Sequence, residues 1–300
     1  MSKGRVLKYF SRTFRAEWSE TNAIGEVHLS AYFKYVVETA WDWGAAIGLG
    51  IDESEELGIG WLVRATELTL HRPLRPNDVF ELTIWLADWR RVHGTRYFEL
   101  VMKERGELVA QGTQEVVSVD LKTMRPATVP ARIIGNITIE NPRLVEQQKF
   151  PKLTAPRETA FATLRTVNWQ DLDSQEHVNN THYIAFAEDA FTTAMATAGW
   201  TPERFKAEDL AIRNQRVHVQ YLSPAAWGET LNIYTYLTEL TPSGGVWYVE
   251  IERRGDQKPI AQCVIEWGLV NRTGGERQEL AESLFDVLKN KIAIAENPDS

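Results

Sequence analysis

NWQDLDSQEHVNNTHYIAFAEDAF, residues 168–191, gathers two Asp, one Glu, two His and two Asn into the thirteen residues from 171 to 183, then continues as an apolar, helix-like run. Sliding the chain along itself by 151 positions lays this stretch over EWSETNAIGEVHLSAYFKYVVETA, residues 17–40. Trp18 meets Trp169, Val27 meets Val178 and Tyr32 meets Tyr183. The same offset, without a gap, then pairs Pro73 with Pro224, Gly94 with Gly245, Tyr97 with Tyr248 and Ala110-Gln111 with Ala261-Gln262. An ungapped register whose landmarks fall at the same structural punctuation is the signature of an internal repeat.

Each copy reads as a strand, a long helix and a series of strands. Leu29 to Gly48 carries apolar residues at helical spacing and ends in glycines, as does Asn180 to Gly199. The runs WLVRATELTLHR, VFELTIWLADW, TRYFELVMKE and ELVAQGTQEVVSVDL follow in the first half. AIRNQRVHVQYL, TLNIYTYLTEL, VWYVEIERR and PIAQCVIEWGLV follow in the second, parted by turns such as KERGE, TPSGG and RGDQ. Alternating strands with short turns predict an antiparallel meander, and the helix must bury its apolar side on the concave face of that sheet. The expectation is an α+β chain of 1–123, a linker over 124–160 with five prolines and little regular structure, and 161–300. ERQELAESLFDVLKNKIA, residues 276–293, reads as an outer amphipathic helix. Two such units most simply pair about a pseudo-two-fold axis.

Composition narrows the chemistry. In 300 residues, 43% hydrophobic content suffices for large buried cores. A net charge of −8 argues against nucleic acid as a partner. The opening MSKGRVLKYFSRTF lacks a signal peptide's apolar run, and no stretch is long enough to span a bilayer, so the expectation is a cytoplasmic protein. Cys263 is alone and sits in a strand-like run, where it reads as an inert core thiol. No Gly-x-Ser-x-Gly elbow and no metal-ligand spacing is present, so neither a serine hydrolase, a metal nor any other cofactor is expected.

The pattern D-x-D-x-x-x-H-V-N-N-x-x-Y, followed by a helix and a meander, resembles the hotdog-fold thioesterases. Its tandem form resembles the plant and bacterial acyl-acyl-carrier-protein thioesterases, which are double hotdogs, while SETNAIGEVHLSAYFKY resembles the related motif of the 4-hydroxybenzoyl-CoA group. The resemblance implies a thioester hydrolase that releases a fatty acid from acyl carrier protein, with Asp173 and His177 catalytic. Gln175 stands where the plant enzymes carry Asn, and Pro224 where they carry a Glu, so an Asp-centred hydrolysis of the 4-hydroxybenzoyl-CoA type gains weight.

The residues themselves can supply that chemistry. Asp173 is a base or nucleophile, His177 polarises the carbonyl or orients water, and Gln175 holds that water. Backbone N–H groups at Val178, Asn179 and Asn180, at the head of a helix, form an oxyanion site, with one Asn also capping. The equivalents in the first half are Asn22, Ile24 and Glu26, so only one of two sites keeps its titratable pair. Trp41, Trp43 and Trp61 are candidate walls of an acyl pocket. Arg64, Arg72, Arg90, Arg91, Arg213 and Arg216 are candidates for docking an acidic carrier. Coenzyme A is the alternative carrier, and a non-catalytic acyl-thioester sensor and a hydratase are the rival classes. Assembly into a homodimer of pseudo-dimers is compatible with this reading.

Overall fold

The computed structural model describes residues 7–139, 141–153 and 155–289. Two compact units emerge: the chain up to Thr21 with Gly25–Val27 and Ala31–Gln147, and Asn22–Ile24 with His28–Ser30 and the chain from Gln148 onward.

The first unit runs β1 (Tyr9–Arg15), a 3-10 turn (Trp18–Glu20), α1 (Leu29–Ala46), α2 (Ile51–Leu57), β2 (Ile59–Leu70), β3 (Val79–Arg90), β4 (His93–Met102), β5 (Leu108–Asp120) and α3 (Ala131–Ile137). Its strands form an antiparallel array in the order β1-β3-β4-β5-β2. The second runs β6 (Phe161–Thr166), a 3-10 turn (Trp169–Asp171), α4 (Asn180–Thr197), α5 (Pro202–Ala207), β7 (Leu210–Tyr221), β8 (Thr230–Thr241), β9 (Gly244–Arg253), β10 (Pro259–Asn271) and α6 (Glu282–Lys289). Its order is β7-β10-β9-β8-β6, also antiparallel.

The offset of 151 holds at both ends of the long helix and of the four long strands. It extends to the irregularities. One bulge skips Arg64 in β2 and Gln215 in β7, and a second falls between Leu86 and Asp88 and between Leu237 and Glu239. A bulge reverses which face the following residues occupy, so it must be kept for the core pattern to be kept. Both long helices end in a glycine of left-handed φ, Gly48 and Gly199, after which Leu49 N–H bonds Gly44 O at 2.8 Å and Trp200 N–H bonds Met195 O at 3.0 Å. That is the helix stop the glycines predict, because a Cβ there would be strained.

Each helix lies on its own sheet. Tyr35 of α1 meets Phe80 of β3 edge-on at 5.0 Å, and Phe191 of α4 stacks on Trp247 of β9 at 6.4 Å. Leu82, Ile84, Phe98 and Leu100 are fully buried in the first unit, and Trp247, Val249 and Ile265 in the second. Burying each such side chain contributes about 1.5–3 kcal/mol.

The segment expected to be a loose linker is instead partly helical and packed. Trp85 Nε1 donates to Arg143 O at 3.0 Å while the Arg143 guanidinium stands 4.9 Å over the same ring. Phe150 meets His218 at 4.8 Å and Tyr248 at 5.9 Å, both edge-on, and Arg157 covers Tyr234 at 4.8 Å. The cause is the aromatic outer faces of the two sheets, which need a cover that sequence alone does not assign. The C-terminal helix begins at Glu282, later than expected, and buries Leu284 and Leu288; residues 290–293 of the expected helix lie outside the described residues. No helix among the described residues is long and apolar enough to cross a membrane.

Candidate active site

The loop between β6 and α4 is built from backbone bonds outward. Asp171 closes the 3-10 turn by accepting the Asn168 N–H at 2.7 Å. The chain then doubles back, with Asp173 N–H on His177 O at 3.0 Å and Glu176 at φ 62° turning the corner. Val178 N–H binds Ala225 O at 2.8 Å, and Ala225 N–H binds the Tyr183 hydroxyl at 3.1 Å, which ties the loop to the segment after β7. Asn179 caps α4, its Oδ1 accepting from the Thr181 N–H at 3.0 Å and the Thr181 hydroxyl at 2.8 Å. Burial pushes the Tyr183 hydroxyl up to about 12, so it stays a neutral phenol.

Asp173, Gln175 and His177 come together on this frame. Asp173 Oδ1 accepts the Gln175 N–H at 2.9 Å and stands 3.6 Å from His177 Nδ1, while Oδ2 has no partner among the described residues. His177 Nδ1 lies 3.3 Å from Val178 O, and its Nε2 lies 3.0 Å from Gln175 Oε1. Gln175 therefore engages the imidazole through its side-chain amide. If the ring proton sits on Nδ1, facing Val178 O and Asp173, a half-turn of the Gln175 amide supplies Nε2 with a donor.

The expected oxyanion donors need correction. Val178 N–H is taken by Ala225 O, and Asn179 N–H by Asp171 O at 2.9 Å. Asn180 N–H, the first of α4, has no partner among the described residues. A helix head carries free donors and the positive end of its dipole, so this is where negative charge is best received.

Sequence reasoning missed a second cluster. Asp171, only 3% exposed, accepts through Oδ1 from Arg165 Nη2 at 3.1 Å and faces His182 Nδ1 at 3.2 Å. The Arg165 guanidinium also lies 4.1 Å over the Phe186 ring. His182, in the first turn of α4, thus helps hold a buried carboxylate under the loop. Arg165 breaking the polarity of the short strand FATLRT was the available signal.

The loop ahead of α1 repeats the frame without the chemistry. Ile24 N–H bonds Asn22 Oδ1 at 3.0 Å, Gly25 turns the corner at φ 77°, Val27 N–H bonds Leu74 O at 2.9 Å and Leu74 N–H bonds the Tyr32 hydroxyl at 2.7 Å. Asn22 offers no basic oxygen, and Glu26 is buried.

The remaining expected residues scatter. Trp43 is core, with Nε1 donating to Leu7 O at 3.0 Å; Trp41 is half exposed; Trp61 packs edge-on against Trp89 at 5.0 Å. Arg72 spans Asp78 and Glu107, Arg90 pairs with Asp88 at 3.2 Å, and Arg216 stands 4.0 Å from Glu266, so neighbouring acids offset part of the expected cationic rim. Arg213 donates to Gly275 O at 3.1 Å. Arg64 and Arg91 are exposed. Among the described residues no group of three or more acids, His or Cys is arranged to hold a metal ion.

A family model described as thioesterase-like superfamily matches residues 16–137 and again 167–290. Among curated relatives, a palmitoyl-acyl carrier protein thioesterase of Cuphea hookeriana is 23% identical over 281 residues, covering 87% of this chain and 64% of the relative. A dodecanoyl-[acyl-carrier-protein] hydrolase of Umbellularia californica is 24% identical over 191 residues, covering 59% of this chain and 49% of the relative. The chain thus spans between half and two thirds of the length of these relatives. Among solved structures, an acyl-ACP thioesterase from Bacteroides thetaiotaomicron superposes with a TM-score of 0.72 at 19% identity, covering 87% of this chain and 98% of that one. The 12:0-ACP thioesterase from Umbellularia californica gives 0.71 at 20% identity, covering 86% and 93%. The fold is the tandem hotdog.

Proposed function

Because the chain belongs to the thioesterase-like superfamily, we propose that it hydrolyses acyl thioesters, releasing a fatty acid from acyl carrier protein, with Asp173 as the base. The observation that carries this reading is the pairing of Asp173 with His177 on the loop that enters α4, whose counterpart keeps the backbone and lacks the base. The names of the relatives, which are acyl-carrier-protein hydrolases, support the choice of carrier.

The chemistry follows from where the groups stand. A water held by Asp173 Oδ2 attacks the thioester carbonyl carbon and gives its proton to the carboxylate. The carbonyl electrons move onto oxygen, and Asn180 N–H receives that charge at the helix head. Collapse of the tetrahedral intermediate expels the thiolate, which takes the proton back and leaves as thiol. An ordinary thiol has a pKa of about 8.5, so a strong acid is not required for its departure. His177, held between Asp173 and Gln175, orients the carboxylate and the water.

The test is free-thiol release by the purified chain from acyl-carrier-protein and acyl-CoA thioesters of increasing length, beside Asp173→Asn. Turnover that vanishes in the variant is expected. Turnover unchanged by the substitution, or saturable binding without thiol release, overturns the reading. Faster release from the CoA series would reassign the carrier and leave the chemistry standing.

A further inference from the structure

The outer face of the second unit's sheet carries bases at two positions where the first unit has none. Trp247 meets α4, so its strand neighbours Val246 and Tyr248 point to the opposite face. On that outer face Arg216, Glu266, Val246 and Glu239 are consecutive partners across β7, β10, β9 and β8. Beside them runs a second row, His218, Val264, Tyr248 and Tyr236. The first unit's equivalents are Ala65, Glu115, Thr95 and Asp88, then Glu67, Thr113, Tyr97 and Trp85. The acids of the first row and the aromatic pair of the second are kept in kind. Only the β7 positions change character: Ala65 gives way to Arg216, and Glu67 to His218.

The chain ahead of β6 crosses this face as a strap. Phe150 meets His218 and Tyr248 edge-on, and Leu153 packs on the cluster of Tyr236, Tyr248 and Val264. Between strap and sheet lies a cleft of about 300 Å³. Lys149 and Lys152 line it from the strap, and Arg216 and His218 from β7. Val246, Val264 and Pro151 form its apolar wall, and Thr238, Glu239 and Glu266 complete it. The Arg216 side chain is 14% exposed and stands 4.0 Å from Glu266, the outer limit of an ion pair. Burial and then the Arg216 charge push His218 down to about 4, so at neutral pH its ring is uncharged and donates through one nitrogen. The cleft thus gathers cations and a neutral donor on one side of an apolar wall.

We propose that this cleft binds a sugar phosphate, with Lys149, Lys152 and Arg216 around the phosphate and His218 donating to it. Three cations against two carboxylates favour an anion, and a phosphate dianion suits both the fork of an Arg and the point charges of two Lys. The space beyond the phosphate fixes the rest of the ligand. Thr238 and Glu239 accept from hydroxyl groups there, while Val246 and Val264 receive the carbon face of a sugar ring. The site lies on the face of the sheet turned away from α4, so binding does not depend on turnover at Asp173.

Calorimetric titration of the purified chain with ribose 5-phosphate, ribose and inorganic phosphate tests this. Ribose 5-phosphate should bind at one site per chain, at least tenfold more tightly than either fragment. Lys149→Gln combined with Lys152→Gln changes two exposed side chains, and should weaken binding at least tenfold without altering melting. Arg216→Ala copies the first unit's Ala65 and should erase the preference over ribose, while Asp173→Asn should leave binding unchanged. Equal affinity for ribose 5-phosphate and ribose, full affinity in the lysine double variant, or loss of binding in Asp173→Asn overturns the proposal. If Arg216→Ala does not fold, the lysine double variant decides in its place. Coenzyme A, which carries a ribose phosphate of its own, separates two sources of the group. Failure to displace ribose 5-phosphate identifies a free sugar phosphate, and displacement identifies the coenzyme. Both of these results uphold the cleft.

Discussion

Asp173 and Asn22 hold the same turn in the same way. Each accepts, through one side-chain oxygen, the N–H two residues on, at 2.9 and 3.0 Å. Each turn closes on a left-handed residue, and each is anchored by a buried tyrosine hydroxyl that accepts from the segment after the following strand. Only one carries a base. The loop frame therefore does not depend on its chemistry: an amide satisfies the turn as well as a carboxylate does, so a duplicated loop can lose its reactive group without losing its shape.

Asp173→Asn copies the first loop onto the second, and is the sharpest way to break this comparison. The turn acceptor survives, so melting should be unchanged while thiol release falls about a thousandfold or more. A drop below tenfold would mean that the two loops differ in something other than the base.

Next in size is the acid beneath each loop, buried in the second unit and half-buried in the first. Asp171→Asn strips Arg165 of its counter-charge and should cost about 3 kcal/mol in denaturant unfolding. Glu20→Gln, at the equivalent position, loses bonds chiefly to the Tyr35 hydroxyl, Lys34 and its own turn, and should cost less. Equal losses would erase that distinction.

Acid sensitivity should belong to the second unit. His218, where the first unit has Glu67, is pushed down to about 4 by burial and then by the Arg216 charge. Its folded value lies below its unfolded one, so the neutral ring's contribution is complete above about pH 6.5 and is lost as pH falls towards 4, a loss of order 2–3 kcal/mol. Unfolding free energies measured across that window should flatten in His218→Phe. A slope that persists would assign the sensitivity elsewhere.

The smallest effect should be equal in the two copies. Tyr32→Phe and Tyr183→Phe each leave one backbone N–H, of Leu74 or of Ala225, without an acceptor, at about 1–2 kcal/mol. A difference above 1 kcal/mol would show that one anchor matters more.

Much of this was legible because the repeat is ungapped and its landmarks have steric causes. Gly94 and Gly245 recur because a Cβ would stand 2.4 Å from Asp88 O in one and 2.5 Å from Glu239 O in the other. The approach of Asp173 to His177 was readable because the two lie four residues apart on one loop. Arg165 with Asp171 was not, since a strand side chain closes on the loop only after the sheet forms. The use of the Val178 N–H was hidden for the same reason, its acceptor being Ala225, far along the chain.

The constant spacing of 151 from Phe10 to Asp120 has a consequence for engineering. The long helix and the four long strands keep this spacing at both ends, so a crossover between the two copies at any matched position among them yields a chain with every turn between those strands at its proper length. The molecule carries its own library of parts. Exchanging Val79–Met102 for Thr230–Arg253 moves a whole hairpin with its bulge, and keeps the chain length at both joints.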